Sequence, residues 1–314
     1  MEKKRAVVIG ATGHIGSFLV PRLVAAGFHT IAVSRGTSQA YSQHSAWQQV
    51  DKVLLDRNEL ENDGEFGRRI LALKPDVVID LICFTADSGK QLFESLAGKI
   101  EHFLHCGTIW VHGPSRVVPT SEDSPRHPIN TYAENKAAIE AYLLAPEQIA
   151  RQATTVIHPG HIVGPGWLPL NPLGNFNPQI FHDLKSGNAI GLPNLGMEML
   201  QHVHAQDAAD LFMCAIENRN SAKDQAFHAV AEQSLTLLAY TEAMIERYKS
   251  KSKIDYLSLP ELAEQLSDGD YQDTVEHIRH SPNCSIEKAR KVLGFRPRYS
   301  AIEAINLALD SLDL

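Results

Sequence analysis

Arg5-Ala-Val-Val-Ile-Gly10-Ala-Thr-Gly13-His-Ile-Gly16 is the stretch from which the rest of the chain can be read. Five strand-forming residues enter a glycine-rich turn. A helical pattern with Ile15, Leu19, Leu23 and Val24 follows and ends before Gly27. Strand, tight turn and helix in that order bring backbone N–H groups to the positive end of a helix, which is a place to hold a pyrophosphate. The glycines are spaced Gly-x-x-Gly-x-x-Gly, one residue wider at the first gap than Gly-x-Gly-x-x-Gly. Pro21 falls inside the helical pattern, where it removes a backbone donor and should kink the axis.

Outward from this unit, strand-like apolar runs recur at residues 30–34, 52–55, 77–81, 102–106 and 154–157, with helix-like stretches at 67–73 and 90–99. Such alternation predicts an α/β fold, a doubly wound parallel sheet covered on both faces. At His158 the texture changes to a Pro/Gly/Asn-rich stretch through Asn177, too punctuated for regular structure. The chain should leave the sheet there, return around residues 202–216 and 226–230, and finish in helices at 285–293 and 301–312. The expected division is a dinucleotide-binding domain over 1–164, rejoined by about 200–231, and a small discontinuous substrate lobe from 165–199 and 232–314.

Composition narrows the partners. The 314 residues are 44% hydrophobic, enough for a sizeable core, and the formal charge of −8 opposes a nonspecific grip on nucleic acid or an anionic membrane. No apolar run reaches membrane-spanning length and Met-Glu-Lys-Lys-Arg leads straight into the first strand, so a soluble, cytoplasmic protein is expected. Cys83, Cys106, Cys214 and Cys284 show no paired spacing, which suits a reducing compartment. Among fifteen histidines, His202 and His204 share a strand face with Asp207 nearby. A zinc site needs three or four convergent ligands, and no partner motif accompanies them, so no metal is expected.

The chemistry centres on Tyr132-Ala-Glu-Asn-Lys136. A spacing of four puts phenol and ammonium on one helical face. Thr131 and Glu134 match a Thr-x-x-Glu capping box, predicting a helix that starts at Tyr132. A free phenol titrates near about 10, so ionising it at neutral pH takes roughly 3–4 kcal/mol of favourable field. Lys136 and the helix's positive end are the available sources.

Joined to the glycine spacing, this pair resembles the short-chain dehydrogenase/reductase superfamily and, by length and second lobe, its extended branch, the NAD(P)-dependent epimerase/dehydratase family. Further matching segments are Phe103 to Gly113, Pro159-Gly160 with Gly164-Pro165, His204-Ala-Gln-Asp207, and Ser285 to Pro297. The resemblance implies that Tyr132 exchanges a proton with a substrate hydroxyl while its carbon exchanges hydride with a nicotinamide. Thr108 stands where the family keeps its catalytic Ser or Thr, and Lys136 would also bind the nicotinamide ribose. The implied cofactor contacts are Gly10, Thr12, Gly13, His14, Ile15 and Gly16 in the turn, then Ser34, Arg35, Asp56 and Pro159. Ser34-Arg35-Gly36 after the second strand favours NADP, because a guanidinium can take the 2′-phosphate and no carboxylate repels it. NAD is the alternative if Arg35 is only a solvated charge beside the adenine.

Departures from the family narrow the reaction. The Asp-Glu pair that drives sugar 4,6-dehydration is replaced by Ile109 and Trp110, His112 and His158 replace a usual tyrosine and arginine, and no arginine precedes His204 to pair a diphosphate. The expected activity is hydride exchange with a sugar-like or other hydroxyl- or carbonyl-bearing small molecule, as an epimerase or an NADPH-dependent carbonyl reductase. The rival from another class is a non-catalytic, RNA-associated relative. A homodimer is the assembly the resemblance leaves open.

Overall fold

The computed structural model describes residues 3–314. Seven strands, β1 (Arg5–Ile9), β2 (His29–Ser34), β3 (Asp51–Leu54), β4 (Val77–Asp80), β5 (His102–Cys106), β6 (Thr154–Pro159) and β7 (Gln225–Ala229), form one parallel sheet. Their order across it is β7-β6-β5-β4-β1-β2-β3. Helices α1 (His14–Ala25), α2 (Arg57–Asn62), α3 (Phe66–Ala72), α4 (Ala86–Leu96) and α5 (Thr131–Leu143) connect and cover it. Successive residues of β1 feed opposite cores: Ala6 and Val8 pack with Leu19, Leu23 and Phe212 on one face, Val7 and Ile9 with Phe66 and Phe93 on the other. The order reverses at β1, whose neighbours are β4 and β2, so a crevice opens beyond the carboxyl ends of these strands.

Residues outside the sheet build a third core around Phe181, Leu192, Leu200, Tyr240, Ile305 and Leu309. Short strand pairs stitch it together: His161–Val163 with His202–His204, Ile190–Pro193 with Ile254–Leu257, and Met199–Leu200 with Leu235–Thr236. The expected return of the chain to the sheet near residue 202 does not occur. β6 has β5 on one edge and β7 on the other and so offers no free edge, and His202–His204 pairs instead with His161–Val163 before the helix Ala205–Glu217.

One local expectation also needs correction. The cap of α5 is Asn130, whose side-chain oxygen accepts from Ala133 N–H at 2.7 Å. The helix therefore begins at Thr131, and no Thr131–Glu134 capping box forms. α1 runs to Ala25, in keeping with a pattern that ends before Gly27, and carries Pro21 buried inside it. Packing against Ala205–Glu217 maintains the helix despite the bond lost at the Ser17 carbonyl. No helix among the described residues is long and apolar enough to cross a membrane.

Candidate active site

Gly10 turns the chain out of β1 with φ +82, and a Cβ there would lie 2.6 Å from Ile82 Cγ2, so only glycine fits without displacement. Gly10 and Ala11 donate to Val33 O, and Gly13 donates to Gly10 O. Gly13 opens α1 with no side-chain cap and no acidic residue in the first turn, leaving that turn's orphan N–H groups and positive end for an anion. Two cavities meet at this turn and share Gly10, Gly13, Ile82 and Phe84.

The first, of about 310 Å³, lies beyond β1, β2 and β3 and is lined by Thr12, Ser34, Arg35, Gly36, Asp56 and Asn58. Arg35 is exposed at its rim. Ser34 Oγ accepts from Gly36 N–H at 3.3 Å, and the Asp56 carboxylate caps α2 by accepting from Asn58 N–H at 2.9 Å. The second cavity, of about 390 Å³, is lined by His14, Ile15, Gly16, Thr108, Tyr132, Lys136 and Pro159. The residues named from the sequence thus fall on one continuous cleft, with the proposed cofactor ribose selectors in one half and the Thr–Tyr–Lys group in the other.

Within that group the geometry differs from the expected one. Lys136 is 1% exposed, and its ammonium donates to Cys106 O at 2.6 Å, standing 5.0 Å from the Phe84 ring and 5.8 Å from that of Tyr132. Burial lowers its pKa. Tyr132 is 40% exposed, yet its phenol is desolvated by the cavity walls and its pKa is pushed up to about 12, an effect that Cys106 adds to and a hydrogen bond with Thr108 opposes. The expected depression below 10 is therefore not seen. The ammonium is tied to the end of β5, and desolvation of the phenol outweighs the field that α5 supplies.

Several residues to which sequence reading gave no supporting role hold these groups in place. Thr108 N–H donates to His158 Nδ1 at 2.9 Å, which leaves Nε2 to carry the proton and face Glu140 Oε1 at 3.3 Å. Arg126 Nε donates to the other Glu140 oxygen at 2.9 Å. Burial alone would raise the Glu140 carboxyl, but His158 and Arg126 hold it well below the usual carboxylate range. Gly107 makes the His158 contact possible, since a Cβ there would lie 2.3 Å from His158 Nδ1. Thr108 Oγ1 also accepts from Trp110 N–H at 3.3 Å, fixing the turn that follows β5. On the floor near α2, Arg57 donates to both oxygens of the fully buried Asp80 at 2.9 Å. No spacing in the sequence links any of these partners.

His202, His204 and Asp207, where the sequence leads to no metal, have separate work. His204 Nδ1 accepts from Gln206 N–H at 3.0 Å as the cap of its helix, Asp207 accepts from the Arg298 and Tyr299 amides, and His202 packs 5.7 Å from the Tyr240 ring. Asp80, Cys83 and His105 do bring ligand atoms within 4.8 Å of one another. Arg57 already supplies the counter-charge of Asp80, and burial pushes the Cys83 thiol up to about 12, so this donor set suits an ion pair over a divalent cation.

A parallel sheet of this order, with its cleft at the reversal point, is the Rossmann arrangement of dinucleotide-binding proteins. Residues 6–229 match the model of the NAD dependent epimerase/dehydratase family, and the chain belongs to that family. Among similar proteins, the chloroplast stem-loop binding protein of 41 kDa b from Arabidopsis thaliana is 26% identical over 314 residues, covering 96% of this chain and 78% of that protein. The 2'-dehydrokanamycin reductase of Streptomyces kanamyceticus is 31% identical over 136 residues, 43% of this chain and 36% of that one. The UDP-glucose 4-epimerase of Thermotoga maritima, solved with UDP-glucose, superposes with a TM-score of 0.71 at 20% identity, covering 98% of both chains.

Proposed function

We propose that this protein binds NADP(H) along the cleft and exchanges hydride with a hydroxyl- or carbonyl-bearing small molecule, with NAD as the weaker ligand. The observation that carries the reading is the meeting of the two cavities at an uncapped helix end, with Thr108, Tyr132 and Lys136 on the wall beyond. The cleft fits the cofactor: the N–H groups of the α1 first turn would take the pyrophosphate, and Gly10, Thr12, Gly13, His14, Ile15, Gly16 and Pro159 would frame it. Arg35 and Ser34 would meet the 2′-phosphate, and Asp56 would lie beside the adenine while capping α2. A bound nicotinamide supplies the site for hydride.

The rest of the chemistry belongs to the chain. Thr108 orients the substrate oxygen, held through its own amide by His158. Tyr132 gives a proton to that oxygen as the carbonyl carbon gains hydride, and takes it back in the reverse direction. A phenol that stays protonated at neutral pH is suited to the first of these. Lys136 would turn from Cys106 O toward the ribose hydroxyls and bring its charge to the phenol. Residues 165–199 and 232–314 would furnish the substrate side of the cleft. Epimerase and reductase share these steps and differ in whether the cofactor is consumed, which mass spectrometry of co-purifying molecules and a turnover count resolve.

The charge of −8 supports the enzymatic reading over RNA association, which would require a salt-sensitive shift with generic RNA. Calorimetric titration with both cofactors is the direct test. NADP should bind about tenfold or more tightly than NAD, from a charge-assisted contact of roughly 1.5–3 kcal/mol. Equal affinity would remove the NADP assignment, and failure of both to bind would remove the function.

A further inference from the structure

The exposed aromatic side chains of this molecule are not scattered. Six Phe, Tyr or Trp residues are exposed among the described residues, and four of them, Phe84, Tyr132, Trp167 and Phe176, line the cavity that holds the Thr–Tyr–Lys group. Grouped exposed aromatics mark a binding surface, whereas single ones carry no message. Beyond Tyr132 the wall is Trp110, whose ring meets the phenol edge-on at 6.1 Å and is held in place by stacking on His280 at 4.2 Å with an interplanar angle of 12°. His277 lies 5.2 Å from the same indole, and Phe176 covers His277 at 5.8 Å. Trp110 comes from the turn after β5, Phe176 from the irregular segment before residue 179, His277 from the helix Asp268–Ile278 and His280 from just beyond it.

What this wall lacks is as informative as what it has. Among the described residues lining the cavity there is no arginine, aspartate, glutamate, asparagine or glutamine. Its one ammonium, on Lys136, is bonded to Cys106 O. Burial keeps the imidazoles of His161 and His277 neutral near pH 7. A phosphate or carboxylate placed against the aromatic wall, out of reach of the α1 amides, would lose its hydration without gaining a fixed counter-charge, and a polyol would leave most of its hydroxyls unpaired. The polar groups that are present suit one reacting oxygen, at Thr108 and Tyr132, and one further hydrogen bond, at His161, whose Nε2 is buried without a partner.

We propose that the substrate of this site is an uncharged, largely apolar ring compound, aromatic or alicyclic, that presents a single ketone or secondary alcohol to Thr108 and Tyr132 while its ring stacks between Trp110 and Phe176. The inference rests on the functional reading above and narrows its substrate class. In the reducing direction the carbonyl carbon gains hydride from NADPH, the oxygen gains the Tyr132 proton, solvent reprotonates the phenol, and NADP and the alcohol leave.

Four probes separate the possibilities: chromanone, a ring-carboxylated chromanone, methyl glucoside and UDP-glucose, each titrated calorimetrically into the full-length protein with saturating NADP. Chromanone should bind, its carboxylated analogue should bind at least tenfold more weakly, and methyl glucoside and UDP-glucose should give no heat. Phe176→Ala, at an exposed position, should weaken chromanone about tenfold and leave the melting temperature and NADP affinity unchanged. Binding of UDP-glucose or methyl glucoside, equal affinity for the carboxylated ring, or silence from all four probes while NADP binds would overturn the substrate class and leave the cofactor reading in place. Failure of NADP itself to bind would instead take down that reading and this inference with it.

Discussion

The two ends of the cleft are made in different ways. The glycine-turn end is a contiguous stretch, residues 10–16, and the anion site proposed for it is made of backbone N–H groups and one helix terminus. The opposite end gathers Trp110, His161, Phe176 and His277 from four separated segments, and its properties come from side chains and their burial. Backbone chemistry set by glycine spacing tolerates little variation, so it is shared widely. A wall of side chains on irregular segments can be changed one residue at a time without disturbing the sheet. At 20% identity the chain keeps the fold of a UDP-glucose 4-epimerase, which is what a backbone scaffold with exchangeable side chains allows.

Acid should have the largest effect, bearing on every part of the molecule that holds buried histidine, His14 of the glycine turn included, and sparing the adenosine-side cavity. His105, His202 and His228 are fully buried and His112 and His204 nearly so, all with pKa values lowered mainly by burial, to about 4 for His202 and His204 and about 3 for His112. The adenosine-side cavity is lined by no histidine among the described residues. Because these folded values lie below the unfolded value near 6.5, the unfolded chain binds more protons, and stability falls as pH drops from about 6.5 toward 4. For His112, His202 and His204 the loss is about 2 kcal/mol each by pH 5, together comparable with a typical folding free energy, and His105 and His228 add to it in the same direction. Melting temperature should be flat from pH 8 to about 6.5 and then fall steeply. A profile unchanged down to pH 5 would break the contrast.

Where the ends meet, Tyr132→Phe keeps the ring packed and removes the proton. Turnover should drop about 10²–10⁴-fold with NADP affinity intact, measured by stopped-flow reduction alongside calorimetry. Retention of most activity would make Tyr132 structural. Lys136→Met should lower both turnover and cofactor affinity, because one ammonium is assigned to ribose and phenol together. The smallest effect belongs to the exposed rim: Arg35→Ala should erase a preference for NADP of about tenfold and leave NAD binding nearly unchanged, as competitive titration would report.

How far the sequence could be read follows the same division. The α/β alternation, the β1–turn–α1 unit and the Tyr132/Lys136 pair were legible because each is a local pattern with a fixed period. The carboxyl-end crevice followed from the topology those patterns imply. The support of Thr108 was not legible: His158, Glu140 and Arg126 are brought together by sheet register and helix packing, and Gly107 matters only because His158 approaches it. Tyr132 shows the same limit in its energetics. Helical spacing predicted a nearby ammonium, but whether that charge reaches the phenol depends on Cys106 O, a partner thirty residues away.

The closing of the sheet by β7 has a consequence for the order in which the molecule can be made. β6 carries Val156, Ile157, His158 and Pro159, and the strand that covers its outer edge begins only at Gln225, after the excursion that builds much of the third core. On a ribosome adding about 5–20 residues per second, an apolar strand would wait several seconds with one row of N–H and C=O groups unpaired. During synthesis that edge is the place where a chaperone would engage the nascent chain or where two copies would mispair, and the Thr108 support on His158 is among the last parts of the site to become fixed.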